Sequence, residues 1–451
     1  MKIVLITILD NLIKKRVKNM QRIPCTGCSL LCDDIIINSD GILINEVIGA
    51  CLKGKERFDQ ITAKNRILSP MIRKNGKLEN VSWKDAFEKT IKLLKNSSKA
   101  ILYGFSNCSC EAQQKGIELA KIINGFIDSN SSICQGKVLS MAKNTGITLT
   151  TISELINKAD LIVLWGTNAA ESIPRLLNKV LFSRGKFRMT GREIRTLILI
   201  DPVKNASFNV MGVRDLALQI QPNKDLELIR VLKEECCATD SIPSKGVAGI
   251  DRDDLKRLLL HLSEAENGVI FIGQGLLRPQ SESNVVNELL ELVQMVNMKQ
   301  EKGRVSLVTL GGHWNMQGFD HVALSIYGKN GGLQFKNNQL IDTEENIDSK
   351  IDREDFDCSL IVGTDPISHL PRSLSQKLAS KPIIVIDNRK SATSYIADVV
   401  LPTVITGIEA GGTAYRLDHV PIELKAILKP PSNIPSDEEL FSKIITKLKT
   451  I

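Results

Sequence analysis

Four cysteines near the amino terminus have a spacing that suits a metal centre. Their pattern is Cys25-x2-Cys28-x3-Cys32-x18-Cys51, and the first three fall within eight residues. Converging thiolates bind tetrahedral zinc or hold a [4Fe-4S] cluster. Zinc sites more often combine two short two-cysteine knuckles than crowd three cysteines into one loop. The spacing therefore favours a [4Fe-4S] cluster, with zinc and unligated buried cysteines as the alternatives.

The segment between Cys32 and Cys51 has to bring the fourth cysteine back to the first three. It reads DDIIINSDGILINEVIGA, in which Ser39, Asp40 and Gly41 join two apolar, β-branched runs. Two such runs around an Asp-Gly turn predict a β-hairpin. Because a hairpin returns the chain to its starting point, we expect Cys51 to lie beside the other three thiols.

A second pattern occurs twice, at the ends of two predicted strands. Residues 161–175 read LIVLWGTNAAESIPR, and residues 360–372 read LIVGTDPISHLPR. Each is followed by a second apolar run that ends at an aspartate, Asp201 in the first half and Asp387 in the second. Runs that are apolar on every residue are typical of strands buried on both faces of a parallel sheet. The sequence therefore predicts two α/β halves with the same plan, the first lengthened by an insertion at 182–192.

The repeat also predicts where ligands bind. Open α/β sheets bind ligands at the carboxyl ends of their strands, where a glycine lets the backbone approach a phosphate and a carboxylate accepts hydrogen bonds from hydroxyls or a purine. Gly166 and Gly363 follow the first strand of each half, and Asp201 and Asp387 end the second. Two equivalent halves imply two nucleotide-like ligands, or one ligand with matching ends. A plain dinucleotide fingerprint is disfavoured, because no Gly-x-Gly-x-x-Gly follows an early strand.

Composition and charge exclude several classes of function. The net charge is +8, but residues 1–22 carry six basic side chains against one acidic, and aromatic residues make up only 4%. A basic groove with stacking side chains is therefore disfavoured, and we expect no nucleic-acid partner. The first apolar run, MKIVLITIL, is too short to cross a bilayer, and its charges follow it, the reverse of a secretory signal. We expect a cytoplasmic protein without membrane insertion, where clustered thiols bind metal more often than they form disulfides.

Several segments together resemble the B subunits of the formylmethanofuran dehydrogenases, which belong to the molybdopterin oxidoreductase superfamily. They are CTGCSLLCDDI, the Lys53-Gly54 pair after the fourth cysteine, ICQGK, ADLIVLWGTNAAESIPR, PNKD and ADVVLPTVITGIEAGGTAYRLDHVPI. The resemblance extends from about Ile23 to the carboxyl terminus. It implies an enzyme that reduces carbon dioxide by two electrons to formate, which a partner subunit condenses with methanofuran. The implied partners are subunits of types A, C and D and ferredoxin-like subunits that supply electrons.

The resemblance implies an α/β architecture of the molybdopterin oxidoreductase type. A small amino-terminal [4Fe-4S] domain would precede two pseudo-equivalent α/β domains that bind two molybdopterin guanine dinucleotides. The usual carboxyl-terminal barrel domain would be absent from this chain and supplied by a D subunit. The expected divisions are an extension at 1–22, an iron–sulfur domain at 23–62, an α/β domain around the metal site at 63–135 and 310–350, a first dinucleotide-binding domain at 136–309, and a second dinucleotide-binding segment with a tail at 351–451.

The resemblance also implies particular site residues. Cys134, in SSICQGKVLS, would bind tungsten or molybdenum, and a thiolate suits a soft metal that already carries four dithiolene sulfurs. Lys53 would line the electron route between the cluster and a pterin. The remaining cofactor contacts would come from Gly166, Thr167, Asn168, Asp201, Pro222, Asp225, Gly363, Thr364, Asp365, Asp387 and Thr413.

Two positions depart from the family pattern. Gln135 replaces a histidine that follows the metal ligand, and an amide does not carry a proton near neutral pH. Gly311, in TLGGHWNMQGF, stands where the family tends to have an arginine. His313 remains as a candidate acid–base group, with a structural role as its alternative. These departures leave two other functions open: a formate dehydrogenase-like oxidoreductase of altered substrate, and a catalytically silent structural subunit of a formyltransferase/hydrolase complex.

Overall fold

The computed structural model describes residues 20–186, 191–237, 242–277 and 285–450. Residues 1–19 of the expected extension and residues 187–190 of the expected insertion lie outside the described residues. The chain divides into two units. Unit 1 comprises the residues up to Asn130, His313–Arg416 and those from Pro421, and unit 2 comprises Ser131–Gly312 and Leu417–Val420.

The described residues form strands in both units. They are β1 (Met20–Ile23), β2 (Ile35–Ser39), β3 (Ile44–Ile48), β4 (Met71–Lys74), β5 (Lys77–Asn80), β6 (Ala100–Gly104), β7 (Phe126–Ser129), β8 (Leu161–Trp165), β9 (Thr196–Ile200), β10 (Leu216–Leu218), β11 (Asn267–Ile272), β12 (Arg304–Thr309), β13 (Leu333–Lys336), β14 (Gln339–Ile341), β15 (Cys358–Val362), β16 (Ile383–Asp387), β17 (Val399–Pro402), β18 (Gly412–Tyr415) and β19 (Pro421–Leu424).

Helices alternate with many of these strands. They are α1 (Leu52–Asp59), α2 (Trp83–Asn96), α3 (Cys110–Ile122), α4 (Gly136–Thr145), α5 (Ile152–Lys158), α6 (Ala169–Ser172), α7 (Asp225–Cys237), α8 (Arg252–Glu264), α9 (Gln274–Leu277), α10 (Val285–Lys299), α11 (Met316–Tyr327), α12 (Ile347–Asp352), α13 (Pro366–His369), α14 (Arg372–Ala379), α15 (Ala392–Ile396) and α16 (Asp437–Lys449). Short 3₁₀ turns lie at Gln60–Thr62, Arg192–Ile194 and Ala206–Val210, and one π-helical turn lies at Asn178–Phe182. No helix in this described part combines the length and the hydropathy needed to span a bilayer.

Several helices begin at residues whose side chains cap them. In each case the side-chain oxygen accepts a hydrogen bond from a backbone N–H three residues later, which satisfies a donor that the helix leaves unpaired. The capping residues include Ser82, Ser109, Thr151, Asp251 and Ser436. The helix starts are therefore specified locally by the sequence.

The amino-terminal sheet of unit 1 contains the predicted hairpin. Strands β1, β2 and β3 pair in that order, each antiparallel to its neighbour. Asp40 accepts hydrogen bonds from the backbone N–H of Ile42 and Leu43 at 2.9 and 2.8 Å, and Gly41 has a φ of +86°. These contacts form the turn between β2 and β3, so the structure confirms the hairpin.

The main sheet of unit 1 has the strand order β14-β13-β7-β6-β15-β16-β17-β4-β5. Its five central strands are parallel, and they are β7, β6, β15, β16 and β17. Strand β13 pairs antiparallel with β7 on one side, and β4 pairs antiparallel with β17 on the other. Phe105, Phe319 and Phe441 pack in the core beside it. Strands β18 and β19 form a separate antiparallel pair.

Unit 2 is built on one parallel sheet with the strand order β10-β9-β8-β11-β12. All five residues of β8 are buried, as expected for a strand covered on both faces. Helices α7, α8 and α10 supply most of the apolar side chains that pack against this sheet. The core of unit 2 is therefore made from residues 138–307 of the chain.

The two parallel sheets share one plan through a circular permutation. Consecutive strands β8, β9 and β10 correspond in order to β15, β16 and β17. On its other side, β8 is followed in the sheet by β11 and then β12, which come later in the sequence. At the same two places beside β15 the sheet has β6 and then β7, which come earlier in the sequence. The structure confirms the predicted shared plan and adds the permutation.

Strand pairing in unit 1 crosses one of the expected domain boundaries. The expected division placed residues 63–135 and 310–350 in one α/β domain and residues 351–451 in another. In the structure β15 is hydrogen-bonded to β6 on one side and to β16 on the other, so a single sheet joins them. Residues 131–135 belong to unit 2.

Candidate metal and cofactor centres

The four cysteines of the quartet lie at one edge of the amino-terminal sheet. Cys25 follows β1, Cys32 precedes β2, and Cys51 follows β3 directly before α1. Because neighbouring strands are antiparallel, the end of β1, the start of β2 and the end of β3 lie at the same end of the sheet. The N–H of Cys25 donates to the carbonyl of Cys32 at 2.9 Å, which closes the loop that carries Cys28. A β-carbon on Gly54 would lie 3.0 Å from Cys25 Sγ and 3.9 Å from Cys51 Sγ, so the structure brings the fourth cysteine back as predicted.

The thiols of the quartet influence one another. Burial raises the pKa of Cys25 to about 12, and Cys32, Cys28 and Cys51 raise it further against a backbone hydrogen bond that lowers it. Burial also raises the pKa of Cys28 to about 11, with contributions from Cys32 and Cys51. The Cys25 and Cys28 thiols are therefore protonated unless a metal displaces the protons. Within the described ranges, no three His, Cys, Asp or Glu side chains are arranged around the position of a single metal ion.

Two glycines let the cysteine loop pack against the start of α1. A β-carbon on Gly27 would lie 3.1 Å from the carbonyl oxygen of Lys53 and 3.1 Å from Gly54 Cα. This close approach brings Lys53 beside the thiols, where its ammonium group lowers the pKa of Cys28. The same ammonium group lowers the pKa of His313. Lys53 therefore acts electrostatically on both the quartet and His313, all within unit 1.

His313 follows β12 and is tied to the loop after β15. Its Nδ1 lies 2.9 Å from Nδ2 of Asn107, and the same Nδ2 donates to the carbonyl oxygen of Gly363 at 2.8 Å. Burial lowers the pKa of His313 to about 4, and the positive charges of His369, Arg389 and Lys53 contribute. The imidazole is therefore neutral near pH 7.

The loops after β8 and β15 have matching backbones. Gly166 and Gly363 have φ values of +59° and +58°, in the left-handed region that glycine tolerates best. Their N–H groups donate to the carbonyls of Ile200 and Ile386, each at 2.9 Å. Each glycine thus turns the chain at the carboxyl end of its strand, next to the end of the second strand.

A second pair of contacts repeats beyond these glycines. The hydroxyl of Ser207 donates to Asn168 at 3.3 Å, and the hydroxyl of Thr393 donates to Asp365 at 2.5 Å. Two residues further on, a backbone N–H donates to each of these hydroxyls at 3.2 Å. Asn168 and Asp365 therefore join each loop to the turn after the second strand.

The side chain of Asp365 is engaged inside the protein. It also accepts hydrogen bonds from the N–H of Thr393 and from the hydroxyl of Ser368. Burial acts to raise its pKa, but these hydrogen bonds outweigh burial and hold the pKa below its usual value. The contacts of Asp365 and Asn168 indicate that they shape the loops.

The two predicted aspartates at the second strands accept hydrogen bonds from the turns that follow those strands. Asp201 accepts from the N–H of Val203 and from Asn205, and burial raises its pKa. Asp387 accepts through Oδ1 from the N–H of Asn388 at 2.7 Å, and burial raises its pKa to about 6. Each carboxyl lies at the carboxyl end of the second strand in the sheet of its own unit, where the repeat predicts it.

The other predicted cofactor residues have diverse environments. Asp225 is buried and accepts a hydrogen bond from Trp165 Nε1 at 2.8 Å, which ties α7 to the end of β8. Thr167 is half-buried, Pro222 is exposed, and the N–H of Thr413 donates to Glu111 at 3.0 Å. Asp225 and Thr413 therefore have structural partners within their own units.

A hydrogen-bonded group at the carboxyl ends of β6, β7 and β15 was not predicted. Asn130 Nδ2 donates to the hydroxyls of Tyr103 and Thr364 at 3.1 Å each, and Tyr103 Oη lies 3.3 Å from His369 Nε2. Oδ1 of Asn130 is buried without a partner in the described part of the chain. The sequence carries no local signal for this group, because β6 and β7 lie far from β15 in the chain.

Cys134 lies in unit 2, in the turn that leads into α4. Its N–H and that of Gly136 both donate to the carbonyl of Ser131 at 2.9 Å. A β-carbon on Gly136 would lie 2.7 Å from Ser131 Oγ, so a side chain at this position would displace Ser131. The side chains of Cys134 and Gln135 are buried, and both polar atoms of the Gln135 amide lack a partner among the described residues.

The combination of a cysteine quartet and two equivalent α/β loops is typical of oxidoreductases that hold a metal together with dinucleotide cofactors. A family model for molybdopterin oxidoreductases matches residues 66–447. The chain is 30% identical to the B subunit of the tungsten-containing formylmethanofuran dehydrogenase 2 of Methanocaldococcus jannaschii, over 96% of this chain and 99% of the relative. The Methanococcus maripaludis protein of the same name is also 30% identical, over 95% and 98%. The chain therefore belongs to the molybdopterin oxidoreductase family, among its formylmethanofuran dehydrogenase B subunits.

Solved structures share the fold. A chain of the formyltransferase/hydrolase complex FhcABCD from Methylorubrum extorquens, solved with methylofuran, aligns with a TM-score of 0.65 and 18% identity, over 85% of this chain and 99% of that one. Acetylene hydratase from Pelobacter acetylenicus aligns with a TM-score of 0.68 and 11% identity, over 95% and 69%. At these identities the likeness concerns the fold.

Proposed function

We propose that this chain is the tungsten- or molybdenum-binding subunit of a formylmethanofuran dehydrogenase-type complex, in which it reduces carbon dioxide to formate. Carbon dioxide takes up two electrons and one proton in this reaction, and a partner subunit condenses the formate with methanofuran. The observation that carries the proposal is the buried Cys134 beside Gln135, whose amide has no partner in the described residues. Buried polar atoms without partners are rare in folded proteins and here indicate a ligand that completes them.

The residues around Cys134 fit a bound metal–pterin group. The Cys134 thiolate would be the protein ligand of the metal, and the Gln135 amide would hydrogen-bond the bound group. The turn at Gly136 leaves no room for a side chain, which keeps the ligand cysteine in a defined position. When bound, the group supplies the two-electron reduction of a one-carbon substrate.

The two repeated loops fit two molybdopterin guanine dinucleotides, one in each unit. Gly166 and Gly363 would let the backbone approach a phosphate, and Asp201 and Asp387 would accept hydrogen bonds from the nucleoside portion. Thr167 and Thr364 would add hydroxyl donors to the same loops. The matching φ angles and hydrogen bonds of the two loops support this assignment.

The quartet fits a [4Fe-4S] cluster. Its four thiols are mutual neighbours at one sheet edge, and the Lys53 ammonium group offsets the negative charge that thiolates and cluster would carry. The charge of Lys53 also lowers the pKa of His313, so this lysine acts on both the quartet and that candidate site residue. Zinc is the alternative occupant, and the two differ in iron content and in visible absorption.

Within unit 1, the groups around His313 would suit a substrate that develops negative charge. His313 is neutral near pH 7 and offers a hydrogen-bond donor, while Lys53 and Arg389 supply positive charge around it. The proton would come from water, because neither the Gln135 amide nor the neutral imidazole of His313 is an acid at that pH. The proposal includes a cytoplasmic complex with subunits of types A, C and D and ferredoxin-like electron donors.

Two specific observations favour a second candidate. Gln135 and Gly311 stand where the family pattern has groups that handle a proton and an anion. The chain is also 23% identical to the F420-dependent formate dehydrogenase subunit alpha of Methanocaldococcus jannaschii, over 88% of this chain and 64% of the relative. A formate dehydrogenase-like enzyme of altered substrate is therefore the second candidate. A catalytically silent structural subunit is the other alternative.

Metal analysis and a substrate assay separate these functions. The complex purified without oxygen should contain about four irons per chain, as one cluster requires, together with one tungsten or molybdenum. A dye-linked assay with formate and with formylmethanofuran then distinguishes the dehydrogenase from a formate dehydrogenase-like enzyme. Zinc alone, or no metal, would contradict both enzymes and favour the structural subunit.

A further inference from the structure

Hydrogen bonds determine the orientation of the Asn107 amide. The carbonyl of Gly363 accepts and cannot donate, so the Asn107 atom that lies 2.8 Å from it must be the amide nitrogen. The same nitrogen lies 2.9 Å from Nδ1 of His313. Because the amide nitrogen has two hydrogens and no acceptor capacity, it donates to both partners. Nδ1 of His313 is then the acceptor, and the ring proton is on Nε2.

We propose that Asn107 is a positioning residue that holds His313 as a neutral imidazole with its proton on Nε2 and links it to the Gly363 loop. The tautomer follows from the hydrogen bonds alone. The role of the Nε2 proton, as a donor to a substrate oxygen, rests on the proposed function.

The segments that carry Asn107 and His313 are fixed independently of the contact between them. The N–H of Asn315 donates to the carbonyl of Ser106 at 2.9 Å, and its side-chain nitrogen donates to the carbonyl of Cys108 at 2.7 Å. Gln113 joins the carbonyls of Phe105 and Asn315 at 2.9 Å each. The residues on both sides of Asn107 are therefore held by other contacts, and a substitution at Asn107 leaves this framework in place.

The charged groups that face His313 reinforce the neutral form. They are Lys53 from α1, His369 from α13 and Arg389 from the segment after β16, and each lowers the pKa of His313 together with burial. No partner for Nε2 is present among the residues that the structure describes. The Nε2–H is thus available to a ligand, and its hydrogen bond would strengthen as negative charge develops on a substrate oxygen.

Asn107→Asp tests the inference by reversing the polarity of the contact. A carboxylate accepts a hydrogen bond from Nδ1–H and favours the charged imidazole, so the tautomer should change and the pKa of His313 should rise by at least about one unit. The chain has five histidines. Labelling them with ¹⁵N in the full-length chain, with His313→Gln to identify the signal, reports both quantities without any activity measurement.

We expect an Nε2–H tautomer in the natural sequence that stays neutral down to about pH 5, and an Nδ1–H tautomer in Asn107→Asp. An Nδ1–H tautomer in the natural sequence, or no change in Asn107→Asp, would overturn the inference. Asn96→Asp makes the same change at an exposed position of α2 and should leave the His313 signal unchanged. Asn107→Ala, compared by its melting temperature, separates a folding defect from the loss of the contact.

Turnover in the assembled complex tests the role of the proton. Asn107→Asp should lower kcat for carbon dioxide reduction with a reduced dye about 10²-fold with little change in KM, because one donor to a developing oxyanion is lost. An unchanged kcat together with the changed tautomer would overturn the positioning role. If the natural complex lacks formate activity while the tautomer is as stated, the proposed function fails and the hydrogen-bonding inference stands.

Discussion

Gly166 and Gly363 adopt the same left-handed backbone in two different sheets, with φ values of +59° and +58°. They differ in the space around them. A β-carbon on Gly166 would lie 2.6 Å from the backbone nitrogen of Leu276, whereas one on Gly363 would lie 3.3 Å from Asn107 Cβ. The two loops therefore share a conformation but tolerate side chains unequally.

This difference predicts the effect of an alanine at each glycine. A left-handed alanine costs about 1–2 kcal/mol at either position. Gly166→Ala adds a backbone clash, so it should reduce the free energy of unfolding more than Gly363→Ala, by at least about 1 kcal/mol, the usual cost of overpacking. Chemical denaturation of the two variants measures the difference. Equal losses would contradict the crowding at Gly166.

Cys134→Ala should abolish formate turnover and leave the iron–sulfur spectrum intact. Cys134 is the proposed ligand of tungsten or molybdenum and is not part of the quartet. Turnover, bound tungsten or molybdenum and visible absorption measure the three effects. Cys237→Ala, at an exposed position of α7, is the matched control and should leave all three unchanged. Loss of the cluster spectrum in Cys134→Ala would contradict the separation of the two centres.

Gln135→His should raise turnover if the departure from the family pattern is a loss of function. The imidazole would place a proton-carrying group beside Cys134, and such a group is worth about 10²-fold in proton transfer. The variant is compared with the natural sequence in the dye-linked assay. Lower turnover would instead indicate that the amide suits a different substrate, as in the second candidate function.

The ion pair between Arg66 and Glu409 should be important for stability. Both side chains are nearly fully buried, and one guanidinium nitrogen of Arg66 contacts both oxygens of Glu409 at 2.7 and 2.6 Å. Glu409→Gln leaves the guanidinium without its charge partner, and losing one partner of a buried pair costs about 3–5 kcal/mol. The half-exposed pair of Lys115 and Glu118 provides the control, because Lys115→Gln should cost less than about 1 kcal/mol. Urea denaturation measures both losses.

Asp437 should make stability depend on pH between about 4 and 6. Burial raises its pKa from 3.8 to about 6, and the charge of Asp387 contributes. In that interval the folded chain binds a proton that the unfolded chain releases, so stability is present at lower pH and is lost as the pH rises. The contribution is on the order of 1–3 kcal/mol. Asp437→Asn should flatten this part of the stability profile, and an unchanged slope would contradict the raised pKa.

Much of the fold could be predicted from the sequence because its signals are local. The hairpin before Cys51 follows from β-branched runs around Asp40 and Gly41, and the buried strand β8 follows from an apolar run. The loops after β8 and β15 were found because Gly166 and Gly363 leave a visible motif. Local patterns of this kind do not depend on distant contacts.

The permutation and the contacts of His313 could not be predicted in this way. Strand β6 pairs with β15, which is more than 250 residues away in the sequence. The residues of neither strand indicate which other strand it pairs with. The sequence around Asn107 indicates only a loop. Its hydrogen bonds to His313 and Gly363 are visible only in the folded structure. The engagement of Asp365 by Thr393 likewise arises from tertiary packing.

The permutation has a consequence for synthesis on the ribosome. The core of unit 2 comes from one continuous stretch, residues 138–307, so its sheet can form while the rest of the chain is still being made. The sheet of unit 1 pairs β6, from the first quarter of the sequence, with β15 to β17, from the last quarter. Strands β6 and β7 therefore cannot pair with β15 until unit 2 has been translated. During that interval the nascent chain exposes two apolar strands, and a cell has to shield them until β15 emerges.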